Sequence, residues 1–225
     1  MFYLAQRKAL ERPQRGSPRM FRVDFLEKHL SRVRPWHVVG LWGPVVVGLL
    51  AWALSLPSLG LAAVLGLGLS GLFGWTLLEY LLHRFLFHFP VRPGSELQRD
   101  LFFLIHGVHH DYPYDADRLV MPPIASLFIA LVLAPPLFLA LVRVHFPAAF
   151  AGLVAGYLWY DLTHYAVHHW RPRTALGRWQ RRNHMVHHFQ GEPILFGVTS
   201  PLWDRVFGTY RAGPAARESR AHEVS

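Results

Sequence analysis

Cysteine is absent from this chain of 225 residues, and its absence excludes several kinds of site at once. Without thiols there can be no disulfide, iron–sulfur cluster, thiolate zinc site or cysteine nucleophile. Charged residues are also scarce, at 16%, against about 25% in a typical soluble domain. The chain is therefore unlike a soluble protein, and its 52% of hydrophobic residues excludes disorder outside the tails.

Charge is missing most completely from long internal stretches. Asp, Glu, Lys and Arg are absent from residues 35–78, 119–142 and 144–160. Apolar runs of about 18 residues or more are typical of membrane-spanning helices, in which every backbone group is satisfied within the segment. We predict an all-α integral membrane protein with four transmembrane helices in two hairpins, at residues 38–56, 60–83, 124–142 and 148–168.

Individual residues predict where the two hairpins turn and where a span is kinked. Pro57 and Ser58 predict the first turn, residues 145–147 predict the second, and Pro135 and Pro136 predict a kink in the third span.

The alternative to membrane spans is a set of core helices in a soluble protein, but more than forty uncharged residues in the first hairpin disfavour it. A cleavable signal peptide is disfavoured because no short apolar stretch opens the chain.

Lysine and arginine predict the orientation. Nine of the 23 lie before residue 37, four lie within residues 84–118, nine lie from residue 171 onward, and Arg143 alone lies near a hairpin turn. Because cytoplasmic segments carry the positive excess, both ends and the middle loop are expected on the cytoplasmic face, in a bacterial inner membrane. The net charge of +9 would then face anionic lipid rather than nucleic acid, for which there is no motif.

Three regions follow from this pattern. Residues 1–36 are predicted to form a cytoplasmic tail with an amphipathic interfacial helix at 20–34, or else an ordinary packed surface helix. Residues 37–211 would form the membrane domain with a helical cytoplasmic cap, and residues 212–225 a flexible tail.

Histidine is the most unusual feature, because eleven of the fifteen fall in four clusters. The clusters read HRFLFH, HGVHH, HYAVHH and HMVHH, at residues 83–88, 106–110, 164–169 and 184–188. Residues three and four apart share a helix face, so each HxxHH motif presents several imidazoles together. Neighbouring histidines diverge by about 100° on a helix, which favours two metal ions side by side. His83 and His88 diverge by about 140°, so they need separate metals or a helix that loosens at its end.

The ligand chemistry of the histidine clusters favours some classes of metal-dependent protein over others. Imidazole suits zinc, copper, iron and nickel, and the spacing alone does not choose between them. The clusters contain no Glu, Asp or HExxH motif, whereas hydrolytic two-metal sites usually use carboxylates. A di-iron lipid oxygenase or desaturase is therefore favoured, with a zinc-dependent membrane hydrolase or a metal-binding or transport protein as the alternative class. Glu79 and Asp161, one turn before histidines, could orient them.

The histidine clusters and their flanking residues resemble the fatty acid 2-hydroxylases of the fatty acid hydroxylase/sterol desaturase superfamily. The resemblance covers roughly residues 75–210 and rests on the blocks EYLLHRFLFH, HGVHHDYPYDADRLVMPP, YDLTHYAVHH, HMVHH and FGVTSPLWDRVFGTY. The H-x4-H opening and RLVMPP favour this branch over the related sterol desaturases and carotenoid hydroxylases.

The resemblance implies a di-iron site, which zinc can occupy in recombinant protein, and O2-dependent hydroxylation at C2 of a fatty acid or acyl sphingolipid. It also implies that Tyr160 and Asp161 line the reacting centre, and we place His169 just outside the ligands. The implied ligands are ten histidines: His83, His88, His106, His109, His110, His164, His168, His184, His187 and His188.

The sequence also leads to expectations about the route of the substrate and the source of electrons. A membrane lipid would enter between the second and fourth spans, along Phe85, Phe87, Phe89 and Trp159, although ordinary lipid-facing aromatics are the alternative. The 36 residues before the first span are too few for the cytochrome b5 domain that many members carry, so electrons would come from a separate donor. A cytochrome b5, ferredoxin or rubredoxin type with its reductase would dock on five arginines, unless these bind lipid headgroups: Arg171, Arg173, Arg178, Arg181 and Arg182.

Overall fold

The computed structural model describes residues 16–189 and 194–211, and all the regular elements within those ranges are helical. The predicted tails therefore lie mostly outside the described residues. In chain order the elements are α1 (Asp24–Leu26, continuing as a π-helical turn Glu27–Ser31), α2 (Pro35–Ser55), α3 (Leu61–Leu81, continuing as a π-helical turn Leu82–Phe87), α4 (Glu96–Phe102, continuing as a π-helical turn Phe103–Gly107), α5 (Val108–Asp111), α6 (Pro123–Ala140), α7 (Phe146–His169), α8 (Ala175–Phe189) and α9 (Leu202–Val206).

Three of these helices are long and apolar enough to cross a membrane. They are α2, α3 with its π-helical continuation, and α6, and their boundaries lie within a few residues of the predicted ones. Most side chains in each apolar stretch are not buried within the protein, as expected for helices that face lipid. Helix α6 continues through Pro135 and Pro136 rather than ending there.

The fourth predicted span forms a helix of 24 residues, α7, but differs from the other three. More than half of its residues are buried, and it packs mainly against α3 and α2. Its C-terminal half carries Asp161 and several histidines. Helix α7 is therefore less apolar than a lipid-exposed span and is not among the three helices that are long and apolar enough to cross a membrane. The structure therefore has α7 as the central helix, and the predicted count of four spans is not established by composition alone.

Small residues allow α3 and α7 to cross closely. A methyl group built on Gly71 would overlap the carbonyl oxygen of Ala149, and one built on Gly152 would overlap that of Gly68. A methyl group built on Gly156 would likewise lie too close, at 2.5 Å, to the side chain of Trp75. Small residues that bring two backbones together are a common basis of helix association in membranes. This crossing fixes α3 and α7 against each other. Five of the clustered histidines lie at the C-terminal ends of these two helices.

The interfacial helix predicted at residues 20–34 is shorter than expected. Only Asp24–Ser31 is helical, because the Glu27 carboxylate accepts hydrogen bonds from the backbone N–H groups of Met20 and Phe21 and folds the preceding chain back. Met20 is buried by this fold, whereas Phe25, an apolar residue of the predicted amphipathic helix, is exposed. The segment therefore packs partly against the protein. It does not form one continuous amphipathic helix.

The remaining short elements gather at one end of the long helices. Helix α4 with α5, helix α8, and the segment 194–211 that contains α9 all lie in sequence next to the histidine clusters. The segment 194–211 is tied to α3, where the indole N–H of Trp203 donates to the Thr76 hydroxyl at 2.9 Å. These elements form the helical layer that closes around the clustered histidines.

Gly71→Ala should destabilise the fold because its methyl group has no room against the α7 backbone. We expect a loss of about 1–3 kcal/mol, the usual cost of overpacking, measured as a lower midpoint of thermal unfolding in detergent. Gly66→Ala is the matched control, since nothing lies within 4 Å of a methyl group at that position of the same helix. Equal midpoints for the two variants would contradict the close crossing.

Candidate metal centre

Ten histidines form two compact groups, and they are the ten that the family resemblance implied. Within each group, one ring nitrogen from every residue lies within 4.8 Å of the corresponding nitrogens of the other four. We call the groups site A and site B. Site A consists of His83, His88, His106, His110 and His187. Site B consists of His109, His164, His168, His184 and His188.

Adjacent histidines are divided between the sites. His109 belongs to site B and His110 to site A, while His187 belongs to site A and His188 to site B. This is the arrangement expected from the divergence of neighbouring side chains on a helix. The rings of His110 and His188 stack at a centroid distance of 4.3 Å, so the two sites adjoin each other.

A π-helical turn explains how His83 and His88 reach the same site. The backbone N–H of His88 donates to the carbonyl oxygen of His83 at 3.1 Å, a bond between residues five apart. The wider turn Leu82–Phe87 brings the two imidazoles to a centroid distance of 5.1 Å, whereas a regular α-helix would separate them. Of the two possibilities left by the sequence, the structure has the loosened helix. Single π-helical turns of this kind are frequent at functional sites.

The Nε2 atoms of each site converge at distances that suit a metal ion. In site A, Nε2 of His106 lies 3.2 Å from that of His83 and 3.0 Å from that of His110. In site B the pairs His109–His164 and His168–His184 are each separated by 2.8 Å. Imidazole nitrogens bound at about 2.0–2.1 Å and at right angles would be about 3 Å apart. The donors therefore fit a metal ion in each site.

Burial keeps these imidazoles neutral. Desolvation, followed by repulsion from the neighbouring histidines, holds the pKa of His106, His109 and His184 well below the usual value. The same cause lowers the pKa of His88 to about 3, and burial lowers that of His187 to about 4. A neutral imidazole offers a lone pair, which is the form that binds metal.

Two backbone carbonyls orient histidines of site A. Nδ1–H of His83 donates to the carbonyl oxygen of Phe196, and Nδ1–H of His187 donates to that of Ile194, each at 2.6 Å. A proton on Nδ1 leaves the Nε2 lone pair free to face the site. No sequence pattern points to these acceptors, because main-chain carbonyls have no residue-type signature.

The two predicted orienting carboxylates do not touch an imidazole. Glu79 accepts hydrogen bonds from the segment 194–211, through the backbone N–H groups of Val198 and Thr199. Asp161 accepts one from the backbone N–H of Met121 at 3.2 Å and one from the hydroxyl of Tyr157 at 3.0 Å. Any effect of either carboxylate on the sites must therefore pass through another part of the chain.

Tyr160 lies directly beside site B, whereas His169 stands apart. The ring of Tyr160 stacks on His164 at a centroid distance of 5.8 Å, and both side chains border the same cavity as Asp161. The ring of His169 packs on Tyr165 at 4.7 Å and belongs to neither histidine group. His169 therefore lies outside both histidine groups, and its role just outside the ligands stays a prediction.

An apolar cavity of about 420 Å³ opens onto the histidines. Its walls come largely from α6, from the residues before it and from the segment around α1, and its inner end is bordered by His106, His109 and His164. Of the four aromatics expected along the substrate path, only Phe87 lines this cavity. The cavity lies mainly along α6 and meets the ends of α3 and α7 near the histidines, so the predicted path between the second and fourth spans stays a prediction.

The other three aromatics occupy different surroundings. Phe85 and Trp159 are exposed on the outside of the protein. The ring of Phe89 packs edge-on against Phe102 at 6.0 Å. The alternative of ordinary packing or lipid-facing aromatics therefore describes these three residues.

A buried ion cluster lies at the cavity wall. The Arg118 side chain, 3% exposed, pairs with the carboxylates of Glu27 at 2.7 Å and Asp115 at 2.6 Å. Its Nε also donates to the hydroxyl of Ser31. Glu27 also pairs with Arg32 at 3.4 Å, so the charge of the buried Arg118 is compensated within a network of two cations and two carboxylates.

The five arginines expected to form a docking face differ in their contacts. Arg181 donates to backbone carbonyls at the end of α7, including those of Trp170 at 3.0 Å and His168 at 3.3 Å, and so it is part of the fold. The other four are exposed. No Asp or Glu occurs from residue 162 to residue 191, so this surface is strongly basic.

Comparison with known proteins gives a consistent result. The family model for fatty acid hydroxylase matches residues 68–209. The chain is 39% identical over 196 residues to the Arabidopsis thaliana dihydroceramide fatty acyl 2-hydroxylase FAH2, covering 85% of this chain and 79% of that protein. It is 41% identical over 226 residues to the Saccharomyces cerevisiae ceramide very long chain fatty acid hydroxylase SCS7, covering 97% of this chain but 56% of that protein.

A solved structure supports the fold. The structure of full-length scs7p, in which only the hydroxylase domain is visible, matches with a TM-score of 0.78 at 39% identity, covering 84% of this chain and 70% of that chain. The relatives named here are from a plant and a fungus and so do not support the expectation of a bacterial inner membrane. No cytochrome b5 domain is evident in the 225 residues. With its family model matched over most of its length, this chain belongs to the fatty acid hydroxylase family.

Proposed function

We propose that this protein is a non-haem di-iron monooxygenase that uses O2 to hydroxylate C2 of a lipid acyl chain. The observation that carries the proposal is the pair of five-histidine sites at the end of an apolar cavity. Site A and site B would each hold one iron ion, and zinc can take these positions in recombinant protein. When bound, the two irons would supply the O2 and redox chemistry that amino-acid side chains lack.

The donor set favours oxidation over hydrolysis. Both sites are built from imidazole alone, whereas a zinc hydrolase needs a positioned general base close to the metal. Asp161 is the carboxylate bordering the inner cavity, and it is engaged by Met121 and Tyr157 rather than directed at the histidines. Desaturation uses similar ligands, so C2 hydroxylation rests on the activity named for the plant relative.

Tyr160 and Asp161 would position the substrate at the reacting end. Tyr160 stands over His164, where its hydroxyl could bind the acyl carbonyl and place C2 toward the metals. Asp161 would act by holding the Met121 backbone and the Tyr157 hydroxyl, which shape the same end of the cavity. The apolar walls would take the rest of the chain and exclude water.

The buried ion cluster favours an uncharged headgroup. Arg118 borders the cavity with its charge already compensated by Glu27 and Asp115, so a free carboxylate or a phosphate would find no unpaired cation there. An amide-linked acyl chain carries no such charge and can still donate hydrogen bonds. We therefore place a ceramide-like N-acyl lipid ahead of a free fatty acid, in agreement with the names of the relatives.

The membrane arrangement follows from the helix ends. We propose that α7 is the fourth span, surrounded by the other three, so that α2 and α6 begin and α3 and α7 end on the same side. The excess of arginine near these ends makes that side cytoplasmic. The cap and its metal sites would then lie at the cytoplasmic surface, and a lipid could reach the cavity past α6.

The reaction requires electrons from outside the chain. Only one oxygen atom enters the product, so the other must be reduced to water. We propose a small acidic donor of the cytochrome b5, ferredoxin or rubredoxin type, kept reduced by its reductase. Its docking surface would be the exposed arginines next to the cap: Arg171, Arg173, Arg178 and Arg182.

His109→Ala and His187→Ala should each abolish hydroxylation, because each removes a ligand from one site. The wild-type protein should bind two metal ions per chain by elemental analysis, and each variant fewer. Membrane insertion should persist, since the apolar helices lie elsewhere. His145→Ala, at the hairpin turn, is the control. One ion per fully loaded wild-type chain, or full activity of either variant, would contradict the proposal.

Ala125→Trp should shift the preference toward shorter acyl chains, because Ala125 lines the cavity from α6. The measurement is the chain-length distribution of 2-hydroxylated products from a mixed lipid substrate. Leu131→Trp tests the same change on the exposed side of the same helix, and should leave the distribution unchanged. Identical distributions for the two variants would argue against this cavity as the acyl site.

The double variant Arg173→Gln/Arg182→Gln should raise the KM for the electron donor and weaken the salt dependence of turnover. Both side chains are exposed, and removing them lowers the attraction for an acidic partner. Arg92→Gln/Arg99→Gln removes the same charge from another exposed stretch and is the control. If both doubles behave alike while membrane retention falls, the arginines bind lipid headgroups instead.

A further inference from the structure

The segment 194–211 carries the two carbonyls that orient His83 and His187. Ile194 and Phe196 supply these carbonyls from the chain that follows α8. Both histidines belong to site A. The geometry of site A thus depends on where this segment is held.

Glu79 holds the segment from the side of α3. Its carboxylate is 2% exposed and accepts hydrogen bonds from the backbone N–H of Val198 at 2.6 Å and of Thr199 at 2.9 Å. The Thr199 hydroxyl donates to the other carboxylate oxygen. Glu79 lies one helical turn before His83, so the same part of α3 supplies a site A ligand and fixes the segment that orients it.

Asp204 holds the segment from within. Its fully buried carboxylate accepts hydrogen bonds from the backbone N–H groups of Phe196 and Gly197, both at 2.8 Å, and from the Thr209 hydroxyl at 2.7 Å. Phe196 is therefore fixed on its N–H side by Asp204, while its carbonyl faces His83. Asp204 stabilises the shape of the segment, and Glu79 fixes that shape against α3.

Among the described residues, no imidazole of site B hydrogen-bonds to the segment 194–211. The Nδ1 atoms of His109, His184 and His188 are buried and have no hydrogen-bond partner in the described part of the chain. Their positions follow from the helices that carry them, α5 and α8. The segment that Glu79 holds also accepts a hydrogen bond from Gln180 of α8 at the Thr199 carbonyl, but its hydrogen bonds to imidazoles go to site A.

We propose that Glu79 is a positioning residue for site A, which fixes the imidazoles of His83 and His187 through the segment 194–211 and leaves site B unaffected. The inference rests on the proposed two-metal centre. Removing an outer partner of a metal ligand typically lowers metal affinity by about 10–100-fold. A carboxylate that only stabilised the fold would instead weaken both sites together.

The experiment measures metal affinity in two single-site backgrounds, by competition with a chromophoric chelator using Co²⁺ or Fe²⁺ under anaerobic conditions. His164→Ala disables site B and reports on site A, while His110→Ala disables site A and reports on site B. Adding Glu79→Leu should weaken binding by about 10–100-fold in the first background and leave it unchanged in the second. Glu79→Gln, whose amide oxygen can still accept from the two backbone N–H groups, should restore most of the affinity.

Two further variants keep the test decisive. If Glu79→Leu does not fold, Thr199→Val removes one of the three hydrogen bonds and should give a smaller loss confined to site A. Ser126→Ala breaks the buried bond with Trp42, away from the segment, and should change neither affinity. Equal loss at both sites, or no loss at site A, overturns the role of Glu79. Absence of metal binding in both backgrounds would instead overturn the two-metal proposal itself.

Discussion

The convergence of ten neutral imidazoles is the constraint on which the rest of this structure depends. Six pairs of Nε2 atoms lie 2.8–3.2 Å apart, in a buried space that disfavours the protonated form of the rings. Lone pairs that face one another at this distance repel unless an ion lies between them. The surrounding helices must therefore hold the rings in place before metal binds, and a bound metal would in turn stabilise the cap.

The packing of the membrane helices brings the histidines together. The close glycine crossing of α3 and α7 brings His83 and His164 to one end of the bundle, where both sites form. Because α7 is enclosed by other helices, it can carry Asp161 and its histidines without exposing them to lipid. Helix α6 packs less closely and forms a wall of the cavity, so under the proposed function one helix would both cross the membrane and contact the substrate.

Much of this could be predicted from the sequence because the signals are local. Uncharged runs predict helices wherever they occur, and the i, i+3 and i+4 spacing of HxxHH places histidines on shared faces. The division of His109 from His110 follows from helix geometry alone. The π-helical turn at His83 was left open, because both a regular and a widened helix are compatible with the spacing of five.

The remaining features depend on contacts between distant parts of the chain. The carbonyls of Ile194 and Phe196, the attachment of Thr199 to Glu79 and the pairing of Arg118 with Glu27 each join residues that have no pattern in common. The cavity likewise arises from the way α6 and the α1 region pack, and the sequence pattern that indicates Phe85 and Trp159 does not find it. Pattern analysis finds chemically distinctive residues but not the main-chain groups that orient them.

The most direct test of the account is the source of the oxygen atom in the product. Cells expressing the protein should be supplied with isotopically labelled O2, and their amide-linked acyl lipids analysed by mass spectrometry with fragmentation. The account predicts one labelled oxygen at C2, absent in cells that express His187→Ala. Acyl lipids without labelled oxygen, or the accumulation of deacylated lipid, would contradict it.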